Sequence, residues 1–155
     1  MQDPEKIKKV AMDLDNALEA KDLEFFKSCF TEDCEIELIG VTLKGISGVE
    51  KWWNYTFNYV KNFTLEPVVI MVDNGVFFEE FIVNAQLPDG SIVKSKWAEV
   101  LVYENYKIKS LRLYFDRLDF ANAITEGYMS KKIINLIIKK FLYCIDLINL
   151  TKIVF

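Results

Sequence analysis

The chain has 155 residues, 52% of them hydrophobic and 27% charged, which fits one globular domain with one core and excludes a disordered chain. A net charge of -4 argues against nucleic acid as a partner, because phosphate contacts need clustered Lys and Arg. There is no His, so a Ser-His or Cys-His nucleophile pair and a His-bearing metal site are excluded, and carboxylates, Lys, Tyr and Cys remain for acid–base work.

Asp3-Pro4 predicts a helix start, with Asp as N-cap and Pro in the first turn. Ile7, Val10, Ala11, Leu14 and Leu18 then recur at helical spacing. Asp22 caps a second, short helix with Leu23, Phe26 and Phe30 inside, closed by Thr31-Glu32-Asp33. Residues 35–39 alternate as a strand, Gly40 turns, and 41–43 is its partner. Ser47-Gly48-Val49-Glu50 reads as a capping box ahead of a helix bearing Val49, Trp52, Trp53, Thr56 and Val60 on one side. For the two Trp residues, core packing is favoured over ligand stacking.

After Asn62 the period becomes extended. Runs 63–72, 76–87, 91–103 and 106–117 are rich in Val, Ile, Phe and Tyr. Asp73-Asn74-Gly75, Pro88-Asp89-Gly90 and Glu104-Asn105 separate them as turns, so the four runs form an antiparallel meander. Helices first and strands later give an α+β class. Residues 1–128 form the domain and 129–155 a C-terminal helical tail, whose Lys132, Asn135 and Lys139 line a polar stripe. The Lys139-Lys140 interruption argues against a membrane span; a docked helix is favoured over a membrane-surface one, and residues 150–155 are expected to fray. No apolar leader follows Met1, which reads as cytoplasmic. Cys29, Cys34 and Cys144 fit reduced thiols.

Phe30-Thr31-Glu32-Asp33-Cys34, then Leu43-Lys44-Gly45 with Gly48-Val49 opening a helix, then Lys107-Ile108 and Arg112-Leu113-Tyr114-Phe115-Asp116 carry a resemblance over roughly residues 5–125. In that order and spacing they resemble the SnoaL-like polyketide cyclase branch of the nuclear transport factor 2-like superfamily. The resemblance implies a cone: a curved antiparallel sheet around an apolar pocket, closed by the N-terminal helices, often dimeric through the sheet's outer face. It implies lyase, isomerase, cyclase or hydrolase activity, or ligand binding without turnover. Cyclase and epoxide-hydrolase members place an Asp at the end of the last strand, which Asp116 matches. Three family patterns are not matched: the isomerases' Asp falls near Leu38, the dehydratases' His is absent, and Phe81-Ile82-Val83 stands where the hydrolases carry Arg-x-Asp.

Tight turns fix strand pairing. Pairing about Pro88–Gly90 sets Phe81 opposite Trp97 and Glu79 opposite Glu99. Pairing about Glu104-Asn105 sets Trp97 opposite Arg112 and Glu99 opposite Ser110. One face then carries Glu79, Phe81, Trp97, Glu99, Arg112, Tyr114 and Asp116, which suits a pocket, unless a one-residue bulge swaps the faces. Arg112 is expected to pair with Glu99 or Glu79 inside the cone. The site prediction is therefore Asp116, Arg112 and Glu99 for proton handling and charge stabilisation, with Trp97, Tyr114, Glu79, Phe81 and Trp53 for a small hydrophobic ligand, and no metal or cofactor. Asp116 as the cap of a helix over 118–126 is the competing structural reading. Leu111, Leu113 and Phe115 fall on the other face, where they predict a homodimer or cover by the tail. Acid–base lyase, isomerase or cyclase chemistry on a polyketide-like substrate is the functional expectation; the alternative is a non-catalytic hydrophobic-ligand-binding or dimerisation domain.

Overall fold

The computed structural model describes the backbone of residues 2–38, 40–125 and 128–151. Residues 152–155, where part of the expected fraying would fall, lie outside this set. The chain forms two compact units, Met1–Asp116 and Arg117–Phe155.

In the first unit, α1 spans Pro4–Ala20 and α2 Leu23–Ser28. Both start as predicted: the Asp3 carboxylate accepts from the Glu5 amide, and the Asp22 carboxylate from the Phe25 amide. The strands are β1 (Phe30–Leu38), β2 (Val41–Lys44), β3 (Asn62–Asp73), β4 (Val76–Gln86), β5 (Ile92–Glu104) and β6 (Lys107–Phe115). They build one curved, open six-stranded sheet in the order β2-β1-β6-β5-β4-β3. β3 to β6 form the expected antiparallel meander. The sheet is not wholly antiparallel, because β1 runs parallel to β6, with Ile36 beside Leu111 and Leu38 beside Leu113. Thr31-Glu32-Asp33 belongs to β1 and does not close α2.

Helix α3 spans Gly45–Tyr59. It begins two residues before the expected capping box, and its N-cap, Lys44, makes no side-chain cap bond. The reason lies at Gly45, whose φ of +63 suits glycine and whose Cβ position would sit 3.0 Å from the Glu32 carbonyl oxygen. The strand-to-helix turn is therefore made by Gly45, and Ser47 falls inside the helix. Glu50 instead binds Lys27 at 2.8 Å, tying α3 to α2.

The helices bury their apolar faces on the sheet's inner side. Ile7, Ala11, Leu14 and Ala17 come from α1, Phe26 from α2, and Val49 and Trp53 from α3. Phe26 is the hub: its ring lies 5.4 Å from Phe30, 5.5 Å from Trp52 and 5.1 Å from Trp53. Such tilted pairs add to the burial of large apolar rings.

The turn from β5 to β6 uses Asn105 and Tyr106, both at positive φ, between paired Glu104 and Lys107. Gln2 holds it in place: its amide donates to the Tyr103 carbonyl at 2.7 Å and accepts from the Tyr106 amide at 2.8 Å.

The second unit holds α4 (Arg117–Ile124) and α5 (Tyr128–Thr151). Among the described residues, no helix is long and apolar enough to cross a membrane.

Candidate functional site

The pairing of β4 with β5 follows the expected register, so Phe81 faces Trp97 and Glu79 faces Glu99. These side chains point inward with Phe77, Val83, Leu101 and Tyr103; all are buried except Trp97, which is half-buried. The pairing of β5 with β6 departs from the expected register. Tyr103 pairs with Ile108, yet Val102 pairs with Ser110, so Lys109 is an extra residue on β6. Moving the turn by one residue changes the partners but not the faces. The bulge changes the faces. Beyond Lys109 the inward set is Leu111, Leu113 and Phe115, and Arg112 and Tyr114 face outward.

This corrects several expectations. Trp97 lies opposite Phe115, with the rings stacked at 4.5 Å, and Glu99 lies opposite Leu113. Arg112 pairs with Val100 and sits beside Glu37 of β1. No ion pair joins Arg112 to Glu79 or Glu99 among the described residues. Tyr114 is 53% exposed. Leu111 and Leu113 are buried, so with Phe115 they belong to the interior and form no outer patch. Asp116 is exposed, just past β6 and directly before α4. Trp53 is packed against Phe26 and Phe57 at 5.1 and 4.6 Å; the Trp that faces the interior cavity is Trp52.

The site residues that do converge are Glu79, Phe81, Trp97 and Glu99, and they meet one that the sequence reading missed, Asp15. Carboxylate oxygens of Asp15, Glu79 and Glu99 all lie within 4.8 Å of one another. Asp15 comes from α1, Glu79 from β4 and Glu99 from β5. A signal for Asp15 was present: at 3.6 residues per turn it falls on the stripe of Ile7, Ala11, Leu14 and Leu18, an acid inside an apolar face.

The cluster borders a cavity of about 30 Å³ lined by Leu14, Asp15, Leu18, Phe26, Trp52, Thr56, Phe63, Leu65, Phe81, Trp97, Glu99 and Leu113. Burial in this apolar wall governs the acids. It pushes Asp15 up to about 8, with the neighbouring Glu79 and Glu19 charges adding to the effect. Burial alone pushes Glu79 up to about 7. Glu99 is held well above the usual carboxylate range by burial, then by Asp15 and Glu79. The Tyr103 phenol is also held protonated, by burial and by the charge of Glu99. At neutral pH the cluster therefore retains protons, and its members can donate as acids and accept as bases. The same three carboxylates are the group that could hold a metal ion.

No family model matches the sequence, and no curated protein matches it at a significant level. Solved structures do match. A nuclear transport factor 2-like protein of unknown function from Burkholderia pseudomallei is 15% identical, over 78% of this chain and 98% of that one, with a TM-score of 0.72. An LEH-like epoxide hydrolase from M. tuberculosis is 18% identical, over 75% of this chain and 86% of that one, with a TM-score of 0.65. A putative polyketide cyclase from Sinorhizobium meliloti is 19% identical, over 68% of this chain and 94% of that one, with a TM-score of 0.58. With the curved sheet and the helices on its inner side, these likenesses show that the chain has the nuclear transport factor 2-like fold shared by polyketide cyclase-like and epoxide hydrolase-like proteins.

Proposed function

We propose that the protein binds a small, largely apolar molecule in the cone and performs acid–base chemistry on it, of the lyase, isomerase or cyclase type. The observation that carries this reading is the meeting of Asp15, Glu79 and Glu99, two of which, Asp15 and Glu99, stand in the wall of an aromatic-lined cavity. Carboxyl groups kept protonated by burial and by one another suit proton transfer near neutral pH. The fold's occurrence among polyketide cyclase-like and epoxide hydrolase-like proteins supports this class of chemistry. In this reading the proton-handling role expected of Asp116 falls to Glu99 and its two neighbours. Glu99→Gln keeps the shape and removes the titrating group. Ligand retained by the purified protein, identified by mass spectrometry, supplies the substrate for a turnover assay. The variant is expected to lose roughly 10²–10⁴-fold in turnover. Full turnover in a folded Glu99→Gln protein would end the acid–base reading.

One observation bears on the size of the ligand, whether or not it is turned over. The cavity of about 30 Å³ has room for a few water-sized groups and not for a ring, so a polyketide-like substrate requires the helices to open.

We also propose homodimerisation through the outer face of the sheet, now through Met71, Phe78, Ile82 and Val100 in place of the buried leucines. Met71 is 57% exposed and the other three are half-buried, which leaves an apolar surface suited to a second copy. Light scattering of the whole chain is expected to give twice the monomer mass, and Ile82→Glu is expected to halve it. A monomer at all concentrations would contradict this.

A further inference from the structure

Two buried carboxyl groups, Glu79 and Glu99, and the half-buried Asp15 share one corner of the cone, and something must balance them when they ionise. No lysine or arginine does so among the described residues: the ion pairs of Lys27, Lys44 and Lys109 go to other acids. A second feature points into the same corner. The Tyr103 hydroxyl is buried, with the residue only 4% exposed, and it meets no hydrogen-bond partner. It lies within electrostatic reach of Glu99 first, then of Cys29, Asp15 and Glu79, so an unpaired buried hydroxyl shares this end of the cone with the acids.

The rest of the wall is aromatic. Phe26, Trp52, Phe63, Phe81 and Trp97 line the cavity beside Asp15 and Glu99. Aromatic faces attract cations, and they do so more strongly where water is excluded. Acceptors at one end and ring faces around the remainder are complementary to one kind of ion. We propose that the cavity takes a small organic ammonium ion, with its N–H groups on the Asp15 and Glu99 carboxylates that line it, the charge of Glu79 beside them, and its alkyl groups against the rings. This rests on the acid–base reading of the same cavity and names the class of its ligand.

A hard metal ion fits less well. Calcium takes 6–8 oxygen ligands, which three carboxylates supply only if each binds through both oxygens, and the adjoining rings offer none. An ammonium needs only one to three acceptors and gains from the rings. A cavity of about 30 Å³ limits the enclosed part to a few heavy atoms.

Binding of the cation requires carboxylates that have lost their protons, so each ammonium bound displaces protons from the cluster. The titratable groups within electrostatic reach of the cluster are Asp15 and Glu19 from α1, Cys29 at the end of α2, Glu79 from β4, and Glu99 and Tyr103 from β5. None of these supplies a competing positive charge.

The test uses the whole chain with methylammonium and trimethylammonium chloride, and with tert-butanol as a neutral probe of similar size. Calorimetry and Trp fluorescence follow binding at pH 6, 7 and 8. Ammonium binding is expected to tighten by roughly tenfold per pH unit and to release about one proton, read from two buffers of different ionisation enthalpy. Glu79→Gln and Glu99→Gln, each checked for folding, are expected to weaken it by at least about tenfold. Equal binding of tert-butanol would overturn the cation inference and leave the apolar-pocket reading in place. Tight binding of Mn²⁺, with no ammonium binding, would overturn it in favour of a metal. If no probe binds and no ligand is retained from purification, both readings fall.

Discussion

Raising the pH from about 5 to about 8 is expected to destabilise the folded protein by on the order of 5 kcal/mol, a large part of the roughly 5–15 kcal/mol that holds a domain together. Asp15, pushed up to about 8, and Glu79, pushed up to about 7, start from ordinary values of 3.8 and 4.5, and Glu99 shifts in the same direction. Between the ordinary and the folded values, the native state binds more protons than the unfolded one. Stability therefore falls as pH rises through this window, and nothing further is lost to these groups once the folded values are passed. The direction is opposite to that of a salt-bridged carboxylate. Urea unfolding at pH 5, 6, 7 and 8 measures it. Glu99→Gln is expected to flatten the profile, because one of the proton-binding groups is gone. A stability that is constant or rising from pH 5 to 8 would mean that the three carboxyls do not share a buried corner.

Leu111→Asp is expected to leave the protein unfolded. Leu111 is fully buried beside Ile36 and Leu101. Truncating a buried Leu costs about 2–5 kcal/mol, and an unpaired carboxylate in its place adds several more. Tyr114→Asp, at a position 53% exposed on the other face of the same strand, is expected to stay within about 1 kcal/mol of the parent. Circular dichroism and urea unfolding distinguish the two. The pair of variants reports which face of β6 is inside, so a folded Leu111→Asp protein would restore the regular alternation that places Arg112 in the cone.

That alternation marks where the sequence ceased to be legible. The meander, the Asp3 and Asp22 caps and the β4–β5 register all rest on local chemistry, namely turn residues, N-caps and period, and the structure has them. The β6 register depends on one extra residue, Lys109, and nothing in Lys107-Ile108-Lys109-Ser110 distinguishes a bulge from regular pairing. What sets it is non-local: β6 must match Leu111 and Leu113 to β1 as well as to β5. The same single residue carried Arg112 and Tyr114 out of the candidate site and took with them the apolar patch expected outside. Asp15 was legible and overlooked. An acid on an apolar helical stripe is a polar group directed at the core, and its partners, Glu79 and Glu99, were already assigned to the inward face. The start of α3 at Gly45 depended on how closely Glu32 approaches, a contact between segments that periodicity does not encode.

The pairing of β1 with β6 also governs how the chain is made. Ile36 and Leu38 pair with Leu43 and Val41 of β2 on one side, but on the other side their sheet neighbours are Leu111 and Leu113, near the far end of the first unit. During synthesis at about 5–20 residues per second, the first strand waits on the order of 10 s before its partner has been translated. For that interval β1 has the short β2 hairpin, α2 and α3 against it, and no strand on its other edge. The apolar face it shows in the meantime is the hazard of a sheet whose first strand pairs with its last. Such non-local closure places the folding rate toward the slow end of the range for its size. Cellular yield of this protein would then be limited by what protects a half-made chain, and the stability of the finished one would matter less.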